Sequence, residues 1–335
     1  MPIGAVSTAS DTLPPDLVEK FKAALDRLNP SGDRIGLAVS GGPDSMAMLL
    51  LAHAAIPGQF EVATVDHGLR PEAKDECALV LAACRERGIP CEIISLTVEG
   101  GNLQATARKS RYAWLGKWVE DAGIPFLATA HHADDQAETL IMRLNRGSGL
   151  SGLAGIREEV FKDGECWDPM ASHTVIRPLL AFRRAELRQI VDGAGVAYAL
   201  DPSNQDDRYD RVRIRKMLKD ADWLDVPAIA RSARHLAEAD ADLRQLCGYF
   251  FDRLLSFSAV GDQVHCRLTP DAPRTIILKL VERALRNIGG DPRGGDVARL
   301  VARLERGEGG NLAGVLATVE DGDWVFRPEP PRRTG

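Results

Sequence analysis

The sequence predicts an α/β protein: an open parallel sheet with helices on both faces, followed by a mostly helical C-terminal region. Three observations lead there. Short apolar runs alternate with longer helix-like segments through the first half, the pattern of strand–helix units that build a parallel sheet covered on both sides. Pro71 stands where a helix should begin, and Gly88 and Gly123 stand where helices should end. From about Asp222 the apolar residues recur at helical spacing over long stretches. A chain of 335 residues, 44% of them hydrophobic, has material for two or three domains. The expected division is an N-terminal extension and helix over 1–30, a sheet domain over 31–221 and a helical domain over 222–335.

The elements follow in order. Arg34–Ser40, Phe60–Asp66, Cys91–Leu96 and Pro125–Ala130 are short, apolar and almost free of charge inside, so each is expected to be a strand. The segments between them, Pro43–Ala55, Pro71–Gly88 and Asn102–Gly123, are each long enough for three or more helical turns. A glycine- and serine-rich loop, GSGLSGLAGI, interrupts the pattern after Arg146; an extended piece ending in RPLL and a helix over Arg183–Ala194 come next. Pro227–Leu255, Pro273–Gly289 and Asp296–Gly307 read as helices, with short strands at Val264–Leu268 and Gly314–Phe326.

Charge and cysteine content narrow the function. A net charge of −6 provides no overall basic field for a nucleic acid, so any such partner must be held by a local patch. The longest apolar run, Met46–Ile56, is too short to span a bilayer and contains His53, and the N-terminus has no leader-like pattern, so a cytoplasmic protein is expected. Cys77, Cys84, Cys91, Cys166, Cys247 and Cys266 form no C-x-x-C pair, which gives no support for a zinc ribbon, a redox dithiol or an iron–sulfur cage.

The stretch LAVSGGPDSMAMLLLA, Leu37–Ala52, breaks two apolar runs with six small or polar residues. A strand ending at Ser40, a Gly41-Gly42 turn and a helix from Pro43 would gather free backbone N–H groups around one point, which attracts an anion. Glycine lets phosphate oxygens approach the backbone, Ser40 and Ser45 can add hydroxyls, and Asp44 suits a magnesium ion arriving with a nucleotide. A plain capped turn would also use S-G-G; the added acid at a phosphate site is useful mainly if a magnesium ion comes with the nucleotide. The stretch lacks the lysine of a Walker A loop and the spacing of a dinucleotide fingerprint. It resembles the S-G-G-x-D-S signature of the PP-loop ATP pyrophosphatases, an adenine nucleotide alpha hydrolase-like superfamily. The resemblance implies cleavage of ATP between its α and β phosphates, transfer of AMP to a substrate oxygen, and retention of pyrophosphate in this loop.

A second cluster, TAHHADDQAETLIMRLNRGSGLSGLAGI, follows the fourth expected strand. It should bring His131, His132, Asp134 and Asp135 to the sheet edge that carries the first cluster. Asp134 and Asp135 suit a helix N-terminus, whose dipole favours negative charge. Glu138 adds a like charge on the same face, which costs energy unless a cation or metal is bound there.

Taken with VDHGLR (Val65–Arg70), ARKSRY (Ala107–Tyr112), RPLL and DPSNQDDRYDRVRIRKML, this cluster resembles the tRNA(Ile)-lysidine synthetase family over most of Arg34–Leu218. The resemblance implies ATP and Mg2+ as cofactors. It implies as substrates free L-lysine and an isoleucine tRNA with a CAU anticodon, whose wobble cytidine is adenylated and then attacked by lysine. Some family members carry a further C-terminal domain, which a chain ending at Gly335 is expected to lack. No membrane and no obligatory protein partner are expected.

The chemistry suits the residues. A lysine amine has a reference pKa of about 10.4, so only about one molecule in a thousand is neutral at pH 7, and the site must help remove a proton. Asp135 and Glu138 are expected to contact lysine, with His132 or Asp134 as proton acceptor or ATP contact; which carboxylate does which job stays open. Ser40, Gly41, Gly42, Pro43, Asp44 and Ser45 are expected to bind ATP, and Asp44 to hold magnesium. Arg70, Arg108, Arg111, Arg208, Arg211, Arg213 and Arg215 are the expected tRNA or phosphate contacts, since guanidinium forks match phosphate. For any single arginine, a solvated face balanced by Asp206, Asp207 and Asp210 is the simpler account; as a group inside a family motif they read as functional. Other PP-loop enzymes, a thiolation enzyme or an amidating synthetase among them, remain alternatives. So do a metal-dependent phosphoesterase using Asp66, His67, His131, His132, Asp134 and Asp135, and a non-catalytic tRNA-binding protein.

Overall fold

A computed structural model describes residues 13–66, 68, 72–95, 103–161, 173–200, 208, 210–292 and 294–330. The chain divides into two compact units, 1–237 and 238–335.

In the first unit α1 (Pro15–Leu28) precedes β1 (Ile35–Ala38), α2 (Pro43–Ala55), β2 (Phe60–Asp66), α3 (Glu72–Glu86), β3 (Cys91–Ser95), α4 (Leu103–Asp121) and β4 (Phe126–Ala128). There follow α5 (Ala133–Asn145), α6 (Leu150–Leu153), β5 (Glu159–Phe161), β6 (Thr174–Ile176), α7 (Arg184–Gly193), α8 (Asp210–Asp220) and α9 (Val226–Leu254), whose residues from Glu238 onward belong to the second unit. All four strands expected from sequence form. Among the described residues they join β6 and β5 in one sheet of order β3-β2-β1-β4-β6-β5. Every pairing is parallel except β5 with β6.

The strand order explains where a site can lie. From β1 the chain steps outward through β2 and β3, then returns to β4 on the other side of β1. The crevice at the carboxyl ends of β1 and β4 is therefore the topological switch point, where open α/β sheets bind ligands. The helices α2 and α5 start from those two strand ends.

Helices cover both faces. On one, α1 contributes Leu17, Phe21, Leu25 and Leu28, and α7 contributes Leu187, Ile190 and Val191, to a core built around α2. Ser45 through Ala52 of α2 are all buried, which suits a helix that is apolar all round. On the other face Leu115, Trp118 and Val119 of α4 pack with Ala63, Leu127 and Val175. Gly36 permits that approach: a Cβ there would lie 2.7 Å from both Trp118 and Val119 side chains.

The second unit contains the expected helices α10 (Arg274–Asn287) and α11 (Gly294–Leu304). It holds more sheet than the sequence suggests. The strands β7 (Leu255–Val260), β8 (Gln263–Leu268), β9 (Gly310–Leu312), β10 (Val315–Glu320) and β11 (Asp323–Pro328) form an antiparallel sheet of order β7-β8-β11-β10-β9. The expected strands at Val264–Leu268 and Gly314–Phe326 correspond to β8 and the β10–β11 hairpin, whereas β7 and β9 were unforeseen. Asp321 and Gly322, both at positive φ, make the two-residue turn that an Asp-Gly pair favours. Among the described residues no helix is long and apolar enough to cross a membrane.

Candidate active site at the sheet's switch point

The first wall of the site is the bend after β1. Val39 donates its N–H to the Ala63 carbonyl at 2.9 Å, keeping the chain on the sheet until the turn. Gly41 then takes φ +79, and a Cβ there would meet the Glu76 carbonyl oxygen at 2.9 Å, so only glycine fits without strain. Its own carbonyl accepts from the Ala199 N–H at 2.9 Å. Gly42 caps α2 with extended backbone and no side-chain cap, and Pro43 opens the helix. The N-terminus of α2 therefore carries no side-chain cap on its first-turn N–H groups.

The two loop serines are linked, the exposed Ser40 to the buried Ser45. Ser45 Oγ accepts from the Ser40 N–H at 3.1 Å, donates to the Gly42 carbonyl at 3.0 Å and lies 3.2 Å from Ser40 Oγ. Ser45 is buried and holds the loop closed.

The second wall is the start of α5. His132 is its N-cap, and its backbone N–H donates to Asp135 Oδ2 at 3.2 Å. The His132 ring is fully buried among three acids: Nε2 lies 3.4 Å from Asp44 Oδ2 and 3.5 Å from Asp135 Oδ2, and Nδ1 lies 3.6 Å from Asp134 Oδ2. None of these contacts is aligned as a hydrogen bond, which leaves both ring nitrogens, and Asp44 Oδ1 as well, buried without a partner. Burial alone would lower the imidazole pKa, but Asp44 and the charge of Asp135 outweigh it and raise the value. Unpaired polar atoms in a buried place are costly unless a ligand completes them.

The third wall comes from residues that sequence reasoning passed over. Arg183 and Arg184 sit at the N-terminus of α7, the end where a helix dipole disfavours cations, and that misplacement was the signal to follow. Arg183 forks onto Asp134 through Nε and Nη2, each at 3.2 Å, while the Arg184 N–H reaches Asp134 Oδ2 at 2.8 Å. Burial pushes the Asp134 carboxyl up, but these contacts overcome it and hold the group below its ordinary value. The Arg184 side chain donates to Glu138 Oε1 at 3.0 Å.

Glu138, 1% exposed, is enclosed by arginine. Besides Arg184 it accepts from Arg211 Nε at 2.9 Å and Arg215 Nε at 2.8 Å. Arg211 and Arg215 are one turn apart on α8 and share the face turned to α5. Arg213 faces elsewhere and pairs with Asp210. Asp135 is the freer acid: Oδ1 lies 3.6 Å from Arg211 Nη2 and 3.9 Å from Arg184 Nη2, and its side chain keeps 17% exposure.

The structure thus brings Asp44, His132, Asp134, Asp135, Glu138, Arg211 and Arg215 together. Arg208 lies on an exposed turn, and Arg111 is exposed on α4. Arg70, His67 and residues 201–207 fall outside the described residues, as does the side chain of Arg108. Among the described residues no group of three or more His, Cys, Asp or Glu side chains could hold a metal by itself. A magnesium ion carried by a triphosphate needs only one or two carboxylates from protein, and the unpartnered Asp44 Oδ1 fits that demand. The described cysteines are free thiols, and burial pushes Cys266 up to about 12.

Comparison with known proteins agrees with this geometry. Residues 15–221 match the family model described as a PP-loop domain. The tRNA(Ile)-lysidine synthase of Novosphingobium aromaticivorans is 45% identical over 320 residues, covering 94% of each chain. That of Zymomonas mobilis is 37% identical over 91% of each. Among solved structures, the U34-tRNA thiolase NcsA of Methanococcus maripaludis superposes with a TM-score of 0.54 at 18% identity, over 66% of this chain and 78% of that one, a likeness of fold. A PP-loop fold, acids and arginines gathered at its switch point, and relatives alike over nearly their whole length lead to one conclusion: the chain belongs to the tRNA(Ile)-lysidine synthase family.

Proposed function

We propose that the protein joins free L-lysine to the wobble cytidine of an isoleucine tRNA bearing a CAU anticodon, at the expense of ATP. The cytosine carbonyl oxygen attacks the α-phosphorus of ATP, the α–β bridge breaks and pyrophosphate leaves. The neutral side-chain amine of lysine then attacks the ring carbon that carries the adenylate. That carbon–oxygen bond breaks, AMP departs and the amine loses a proton.

One observation carries the reading: His132 and Asp44, from two helix starts on adjacent parallel strands, meet within 3.4 Å. An anion grip and an acid cluster therefore share one crevice, as a reaction between a triphosphate and a cationic amine requires. In this reading the loop Ser40–Ser45 holds the leaving pyrophosphate, and Asp44 holds the magnesium ion, which supplies charge neutralisation when bound. Asp135, whose side chain keeps 17% exposure against 1% for Glu138 and has no bidentate arginine, receives the lysine ammonium. Glu138 fixes Arg184, Arg211 and Arg215 around the phosphate and the lysine. Asp134 orients Arg183 and Arg184, and His132 bridges the two walls. The second unit holds the RNA, the protein needs no partner chain, and it works where tRNA matures, in the cytoplasm.

The test is incubation with ATP, magnesium, labelled lysine and a panel of tRNA transcripts. Label enters only the isoleucine tRNA with the CAU anticodon, with AMP and pyrophosphate released. Formation of ADP and orthophosphate, or sulfur rather than lysine incorporation, would overturn the proposal.

A further inference from the structure

A cavity of about 280 Å³ opens on the seam between α5 and α8, lined by Met142, Asn145, Arg146, Asp210, Arg213 and Ile214. Met142 and Ile214 are half-buried and make its apolar floor, while the other four are exposed at its rim. Asp210 fixes both rim arginines: Arg146 Nη2 lies 3.2 Å from Oδ2, and Arg213 Nη2 bonds Oδ1. Those two contacts, that of Arg213 first, hold the Asp210 carboxyl below its usual range. One acid between two guanidiniums leaves the rim positive, and the Asn145 amide adds a donor and an acceptor.

The cavity continues the seam that carries Glu138. Met142 and Arg146 follow Glu138 by one and two turns of α5, about 6–12 Å along the axis. Arg213 and Ile214 lie between Arg211 and Arg215 in the chain of α8. We propose that this cavity is a subsite for an unpaired nucleotide of the RNA substrate next to the one that reacts. The inference rests on the reading that the protein acts on tRNA. A base that reaches the phosphate grip must be splayed out of its loop, which strips a neighbour of its stacking partner. An apolar floor takes the face of such a base, guanidinium planes stack on it or bind its phosphate, and a side-chain amide reads its edge. The exposed Arg146–Asp210–Arg213 set contributes little to folding, because ion pairs in water are weak.

Two variants of the full-length protein test this: Met142→Trp, which fills the cavity, and Arg146→Ala, which strips its rim. Fluorescence anisotropy with a labelled anticodon stem-loop should report affinity loss of about tenfold for each, with nucleotide affinity and melting temperature as in the wild type. Abasic substitution, one loop position at a time, should find a position costing the wild type about tenfold and Met142→Trp nothing further. Wild-type affinity for the stem-loop in both variants, or abasic losses that persist in full in Met142→Trp, would overturn the subsite. If Met142→Trp fails to fold, Arg146→Ala decides alone. A wild-type protein that binds neither stem-loop nor intact tRNA would instead bring down the functional reading on which the subsite rests.

Discussion

His132 Nε2 lies 3.4 Å from Asp44 Oδ2, so the helix that follows the Gly41-Gly42 bend and the helix that begins the acid cluster share one contact. Neither group is satisfied by it: both His132 nitrogens and Asp44 Oδ1 remain without hydrogen-bond partners. Asp44→Ala is therefore expected to abolish turnover and leave the protein folded, because the lost carboxylate serves the ligand more than the fold. Asp44→Asn, which keeps the shape, should lower turnover by about 100- to 1,000-fold. Melting curves and an AMP-release assay check both.

Gly41 and Gly42 separate strain from ligand contact. Gly41→Ala must adopt positive φ and meet the Glu76 carbonyl, so it should lose about 1–3 kcal/mol of stability in a urea titration. At Gly42 φ is −74, and the nearest atom to an added Cβ is Ser40 Oγ at 3.7 Å. Gly42→Ala should fold as the wild type does yet, if the bend is the phosphate grip, bind ATP weakly, because a side chain hinders the close approach of phosphate oxygens to the backbone. Unchanged ATP affinity would show that the loop is not the phosphate grip.

Glu138→Gln replaces a buried charge that three guanidiniums enclose. Leaving those cations facing a neutral amide should cost about 1–3 kcal/mol, less than for a fully buried pair, because the three arginine side chains stay 29–37% exposed to water. Chemical denaturation measures the loss, and lysine incorporation should fall with it as Arg184 and Arg211 lose their anchor.

Asp134 gives a pH dependence of known sign. Its folded pKa lies below the ordinary value, so its stabilisation is present in full above the unfolded pKa of about 3.9 and is lost as pH falls through the folded value. The difference in unfolding free energy between wild type and Asp134→Asn should be constant near neutrality and shrink below about pH 4. A difference that grows on acidification would contradict the arginine contacts.

Much of the site was legible in the sequence because local rules fix it. Gly41-Gly42 followed by Pro43 marks a strand-to-helix turn, and Asp134-Asp135 after the fourth strand marks a helix start. The strands β5 and β6 were harder to see, because three residues show no alternation and their pairing depends on chain far away. The role of Glu138 was hidden for a related reason. The four-residue spacing of Arg211 and Arg215 gives them a common face, but nothing local says that this face meets α5, or that Arg184 arrives from a third helix.

Sequence alone determined the alternation of strands and helices, the glycine bend that exposes helix N–H groups, and the acids at the start of α5, since each depends on backbone preference over a few residues. The tertiary structure decided which charges meet. The reversal of strand order beside β1 sets two helix starts side by side, and there Asp134 and Glu138 find arginine partners from other helices. Long-range pairing in a low-dielectric crevice depends on the path of the whole chain, which no short stretch encodes.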